Sequence, residues 1–132
     1  MRSMFFIAAS SLIASTLSAY SQPDKVLYEL QERCGKLAKT FAEDWKTRTV
    51  QTAHPTVQGG YENHYNARLN KCFYLEISTT YGRVVMRHLR LIDLNDNKEF
   101  GTYSEGVHCE VRGQNCKSEA EWRELAKPYL EE

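Results

Sequence analysis

The chain has 132 residues, 42% of them hydrophobic and 26% charged, and its 17 basic and 17 acidic side chains cancel. That length suits one domain with a modest core. Balanced charge argues against a nucleic-acid binder, which carries a basic excess or stripe. Eight tyrosines, five phenylalanines and two tryptophans supply enough apolar bulk to exclude a disordered chain.

The N-terminus carries one charge, Arg2, followed by an uncharged and mostly apolar run from Met4 to Leu17. Ala19 and Ser21 then stand at the −3 and −1 positions of a cut before Gln22. Short positive start, apolar stretch and small residues at the cut are the order of a secretory signal peptide. A membrane anchor needs about 20 strongly apolar residues, and serines and a threonine dilute this shorter run. The expected organisation is therefore residues 1–21 as a cleaved signal and residues 22–132 as a single small domain, with no membrane span after cleavage. The remaining 111 residues carry 16 basic and 17 acidic side chains.

Pro23 to Trp45 reads as an amphipathic helix, with Ser21 placed to cap it and Pro23 in its first turn. Leu27, Leu30, Cys34, Leu37, Phe41 and Trp45 recur at steps of three and four, which puts them on one helical face. Lys46 to Gly60 lacks periodicity and contains His54-Pro55 and Gly59-Gly60. It reads as a long loop, and long loops are often functional.

Tyr61 to Cys72 is the densest polar-aromatic segment. It offers a possible general base in His64, an acid in Glu62, several amides and a cation. Tyr61, His64, Tyr65 and Asn66 are the candidate binding residues. The bland alternative is that Tyr65 packs while His64 and the asparagines bond loop backbone beside a disulfide. His88 lies within a strand and reads as a sheet-face residue, and His108 as packing on a neighbouring bridge. No Gly-x-Ser-x-Gly elbow, phosphate loop or Gly-x-Gly-x-x-Gly is present. No catalytic residue and no cofactor is assigned.

Lys71 to Ser78 alternates, with Phe73, Leu75 and Ile77 on one side and Tyr74 and Glu76 on the other, the pattern of a half-buried strand. Tyr81-Gly82-Arg83 forms a turn, Val84 to Asp93 a second strand, and Asn95-Asp96-Asn97 another turn. Lys98 to Tyr103 and Val107 to Val111 are shorter strands. Arg83, Arg87 and Arg90 read as a solvated strand face, open to an acidic partner. Ser118-Glu119-Ala120-Glu121 is a capping box that starts a helix with Trp122, Leu125, Ala126 and Tyr129 on its apolar face, and Pro128 should end or kink it. The fold class is α+β: an N-terminal helix, an antiparallel meander of three to four strands and a C-terminal helix, with both helices on one sheet face.

Cys34, Cys72, Cys109 and Cys116 make an even number in a short exported chain, the mark of a disulfide framework. Three pairings are possible. The favoured one is Cys34–Cys72 with Cys109–Cys116, because the second pair is close in sequence with Gly113 between. Its loops would contribute about 4 and about 2.5 kcal/mol in the chain-entropy picture. The spacing of Cys72 creates a tension: strict alternation puts it on the Tyr74/Glu76 side, so a bridge from the helix's core face would need a bulge or a later strand start. A Cys/His zinc site is disfavoured, since no close Cys-x-x-Cys or His-x-x-x-His pair is present, and no metal is assigned.

Cys34-Gly35-Lys36, His64-Tyr65-Asn66-Ala67-Arg68-Leu69-Asn70-Lys71-Cys72-Phe73, and Cys116-Lys117-Ser118-Glu119 leading to Pro128-Tyr129 together resemble small exported bacterial proteins. The resemblance spans most of the chain after residue 21 and implies export to the periplasm or beyond, with Cys34 and Cys72 acting together. It brings no activity with it. Three functions remain in competition: a non-enzymatic periplasmic or secreted module that binds a protein or a small polar ligand of the cell envelope, an envelope hydrolase using His64 with Glu62 or Asn66, and a hydrolase inhibitor presenting Thr47 to Gly60 as an inserting loop.

Overall fold

The computed structural model describes residues 24–50 and 56–131. The expected signal segment, Ser21 and Pro23 lie outside the described residues. In chain order the elements are helix α1 (Lys25–Val50), strands β1 (Thr56–Asn66), β2 (Lys71–Tyr81), β3 (Val85–Asp93), β4 (Lys98–Ser104), β5 (His108–Val111) and β6 (Gln114–Asn115), and helix α2 (Glu119–Leu130). The strands form one six-stranded antiparallel sheet in the order β1-β2-β3-β4-β5-β6. No helix among the described residues is long and apolar enough to cross a membrane.

Two expectations about the first third of the chain change. The N-terminal helix runs past Trp45 to Val50, and Asp24 caps it by accepting the Val26 N–H at 3.1 Å. The segment read as a loop from Lys46 to Gly60 is helix at one end and strand at the other, leaving 51–55 outside the described residues. β1 takes in the last five residues of the expected loop and the first six of the polar-aromatic segment. Its eleven positions pair without a break against β2, from Thr56↔Tyr81 to Asn66↔Lys71. Strand pairing overrides weak local preference here: Gly, Asn and Gln are poor strand formers, but each residue gains a partner on β2.

The helices cover opposite faces of the sheet, which corrects the expectation of a single covered face. Phe73, Leu75, Leu89, Leu91, Tyr103 and Val111 pack against Trp122 and Ala126 of α2. On the other face Tyr74 and Ile92 pack against Ala38 and Ala42 of α1, with Phe41 and Leu94 at the margin. Two alanines on α1 let the helix approach the sheet closely. β2 is consequently buried on both faces from Cys72 to Glu76, because its alternate side chains meet two different helices.

This two-sided arrangement resolves the tension at Cys72. Cys72 shares the Tyr74 face, α1 lies on that face, and Cys34 lies on the inner side of α1. The Cys34–Cys72 bridge forms with unbroken alternation and with no bulge in β2, and Cys109–Cys116 closes the β5–β6 reversal. Both pairings are the expected ones.

α2 starts at the predicted Ser118 cap, with Glu121 N–H donating to Ser118 Oγ at 3.2 Å; the Glu121 carboxylate, however, accepts from Lys117 N–H at 2.8 Å, one residue before the cap, and not from Ser118 itself. Trp122 is fully buried, and its Nε1–H donates to the Glu110 carbonyl at 3.1 Å, so the largest core side chain leaves no buried donor unpaired. Pro128 sits inside the helix, which continues to Leu130. So near the end it removes a single backbone bond, and the last turn persists.

Candidate functional site

The turns at one end of the sheet are built from side-chain amides and carboxylates. Asn66 is fully buried at the end of β1. Its Nδ2 donates to the Pro128 carbonyl at 2.9 Å, and its Oδ1 accepts from Leu69 N–H at 2.9 Å. One amide thus closes the β1–β2 turn and satisfies a carbonyl at the C-terminus of α2. Asn70 takes a left-handed conformation (φ 52°) in that turn, which asparagine tolerates. Tyr65 Oη donates to Asn70 Oδ1 at 2.6 Å.

The β3–β4 turn is held in the same way. Asp93 is fully buried, accepts from Asn95 N–H at 3.0 Å and pairs with Lys71 across the β2–β3 ladder. Lys71 also reaches Asp96. Hydrogen bonds to Asp93 and Asp96 raise the Lys71 ammonium above the usual lysine range, and its bond to Lys71 lowers Asp96. Asn95 Oδ1 accepts from the Cys72 N–H at 2.6 Å. These groups position two turns beside the Cys34–Cys72 bridge.

Between those turns and α1 the surface is concave. A cavity of about 260 Å³ is lined by Leu30, Arg33, Cys34 and Leu37 of α1 and by Tyr65, Asn70, Cys72 and Asn95 of the sheet end. A second cavity of about 530 Å³ shares Leu37 and adds Phe41, Asp44, Leu94, Asn97 and Arg90. Together they follow the flank of α1 as a groove. Leu30, Leu37, Phe41, Leu94 and Tyr65 supply its apolar and aromatic surface, the bridge cysteines line it, and Arg33, Asp44, Arg90 and the amides of Asn70, Asn95 and Asn97 supply a comparable polar share. A concave surface that sets apolar side chains beside convergent polar groups can seat a small ligand.

Farther along the same face the groove meets charge. Glu76 is buried to 8% exposure, and the Arg90 guanidinium lies 3.7 Å from its carboxylate and 3.6 Å from that of Glu99. Beside it Tyr74 is buried under Phe41 and stacked on Tyr61, with ring centres 5.1 Å apart. Burial, reinforced by the Glu76 carboxylate, pushes the Tyr74 phenol up to about 12.

The four candidate residues from the sequence do not form one patch. Alternation along β1 sends Tyr61 and Tyr65 to the α1 face, and His64 and Asn66 to the α2 face. Tyr65 lines the groove and Tyr61 stacks on Tyr74. His64 is half-buried opposite Phe73, and neither cavity of the groove is lined by His64 or Glu62. The groove residues Leu30, Arg33, Leu37 and Asn95 are not marked as neighbours in the sequence, because they come from α1 and from a turn 23 residues beyond Cys72. The one signal that joins them is the Cys34–Cys72 pair.

The arginine run also divides. Arg87 forms an ion pair with Glu119 of α2 at 2.8 Å, while Arg90 faces Glu76 on the other side of the sheet. Positions three apart on a strand point to opposite faces, so the run is not one solvated stripe. His88 is the expected sheet-face residue, with Nδ1 2.9 Å from Ser104 Oγ. His108 is exposed, lies 3.9 Å from Glu110 two residues along β5, and lines a shallow cavity together with Cys109 and Cys116. Among the described residues no group of three or more His, Cys, Asp or Glu side chains is arranged to hold a metal ion.

No family model, curated protein or solved structure matches this chain.

Proposed function

We propose that this chain is an exported, non-enzymatic binding module of the periplasm or the extracellular space. Its ligand seat would be the groove between α1 and the turns that flank the Cys34–Cys72 bridge. The observation that carries the reading is the make-up of that groove: Leu30, Leu37 and Phe41 offer apolar walls, while Arg33, Asn70 and Asn95 offer polar contacts at one end. Such a seat fits a short segment or small ligand with an apolar body and a carboxylate, which the guanidinium of Arg33 would meet. Export is supported by the charged and apolar N-terminus and by cysteines that are all paired, since disulfides persist in oxidising compartments.

The test compares wild type with Leu37→Glu. Leu37 is 40% exposed on the groove wall, so the substitution places a carboxylate in the seat without entering the core. Short peptides with an apolar residue beside a C-terminal carboxylate would be screened by chemical-shift mapping on the labelled protein. Shifts clustered at Arg33, Leu37, Tyr65 and Asn95, and abolished in Leu37→Glu, are expected. Shifts that survive the substitution, or that cluster on His64 and Glu62, would reject this seat. Intact mass with and without reductant tests export: the expected product lacks the first 21 residues and carries both bridges.

A further inference from the structure

The sheet has two very unequal edges. β6 ends it with two residues, whereas β1 ends it with eleven. Among the described residues no strand lies outside β1. A sheet edge presents unpaired N–H and C=O groups, and proteins usually blunt long ones with lysine, proline, a bulge or a covering element. β1 contains no lysine and no proline, its register against β2 is unbroken, and residues 58–63 are exposed.

The hydrogen bonds at the far end of β2 show which groups of β1 point outward. Cys72 donates its N–H to Asn95 Oδ1 and accepts at its carbonyl from Leu94 N–H at 2.9 Å. Both Cys72 backbone groups therefore face away from β1. Its partner across the ladder, Tyr65, is in a pair that exchanges no hydrogen bonds, so the N–H and C=O of Tyr65 face the open edge. Alternation carries this to Asn63, Tyr61, Gly59 and Val57.

We infer that β1 is a self-pairing edge: two copies of the chain join antiparallel along it, about a twofold axis at Tyr61. Tyr61 is the midpoint of Thr56–Asn66, so this register overlaps the whole strand. It sets Val57 against Tyr65, Gly59 against Asn63, and Tyr61 against its own counterpart. Every outward-facing residue meets an outward-facing residue, which makes about ten interchain backbone bonds. On the other face Glu62 meets Gly60 of the second copy, so the one charge per strand has no like charge opposite. A slip centred on Glu62 would set two carboxylates face to face, which is unfavourable. Tyr61, 37% exposed and stacked on Tyr74, would have its open side covered by the second Tyr61. An isologous interface of this kind closes on itself at two copies.

Sedimentation velocity of the processed protein across the micromolar range tests the inference, with charge at Gly60 as the probe. A Cβ at Gly60 meets nothing within 4 Å, so the fold admits a side chain there. Gly60→Glu puts a carboxylate opposite Glu62 of the second copy and should weaken dimerisation about tenfold; Gly60→Lys puts an ammonium there and should strengthen it by a similar factor. Amides of Val57, Gly59, Tyr61, Asn63 and Tyr65 should exchange slowly in the dimer and fast in Gly60→Glu. A wild type that stays monomeric throughout the range overturns the inference. So does a dimer whose strength is the same in both variants, which would place the interface elsewhere.

Discussion

Removing the Cys34–Cys72 bridge should release α1 while leaving the sheet and α2 folded. The perturbation is the double substitution Cys34→Ala, Cys72→Ala, with Cys109–Cys116 kept. The bridge spans 38 residues of sequence, for which loop-closure entropy is worth about 4 kcal/mol. Against that, α1 holds the sheet with a small contact. Its buried residues besides Cys34 are Ala38 and Ala42, and its two large packing side chains, Phe41 and Trp45, are only half-buried, Trp45 lying over Gly59 of β1. Alanine contributes little apolar area, so this docking is worth a few kcal/mol at about 25 cal/mol per Å². The α2 face holds Phe73, Leu75, Leu89, Leu91, Tyr103, Val111 and Trp122 in one cluster and owes nothing to that bridge.

The stability lost should therefore appear as local opening of α1 rather than as global unfolding. Hydrogen exchange with mass readout separates the two. In the variant, amides of Ala38 to Trp45 should exchange orders of magnitude faster, while those of β2, β3 and α2 keep most of their protection. A single cooperative transition, with α1 and α2 amides accelerating together, would show that α1 does not open on its own.

Three further outcomes follow from the same packing. Tyr74 ionises at about 12 in the folded chain and near 10 when unfolded. Because the folded value is the higher one, the stability linked to Tyr74 is complete below pH 10 and is lost as pH rises toward 12. That loss approaches roughly 3 kcal/mol, and denaturant titrations from pH 9 to 12 against Tyr74→Phe would show it; equal slopes in both proteins would contradict it. Asn66→Ala leaves the Leu69 N–H without its partner and the Pro128 carbonyl with only the long 3.5 Å contact from Arg68, and should cost about 1–3 kcal/mol, read as a lower denaturation midpoint. A neutral result would mean that water replaces the amide. Trp122→Ala empties the centre of the α2 face and should cost about 3–5 kcal/mol, with loss of the near-ultraviolet dichroism of the core; an unchanged spectrum would exclude Trp122 as its centre.

Local patterns reported the regular parts of this protein faithfully. Alternation from Lys71 to Ser78 marks β2, the step of three and four from Leu27 to Trp45 marks α1, and Ser118 with Glu121 marks the start of α2. Of the three possible cysteine pairings, the one favoured by the closeness of Cys109 and Cys116 is the one observed. The helix and strand signals each arise within a single element, so they are written in the order of side chains.

Other features depend on what stands across the sheet. β1 has little apolar periodicity and poor strand formers at Gly59, Gly60 and Asn63, and it is a strand because β2 offers it eleven partners. Which face a helix covers is likewise absent from the helix itself. α1 and α2 each show one apolar stripe, and only packing decides that the stripes meet opposite sides of β2, which buries Tyr74 as deeply as Phe73. The groove has the same origin. Leu37 and Asn95 are remote in sequence and become neighbours because the Cys34–Cys72 bridge holds a helix against the end of a sheet. Composition, strand periodicity and cysteine count settled the class of fold; the two-sided burial of β2 decided where the concave surface lies, because a pleated strand divides its side chains between whatever layers the rest of the chain provides.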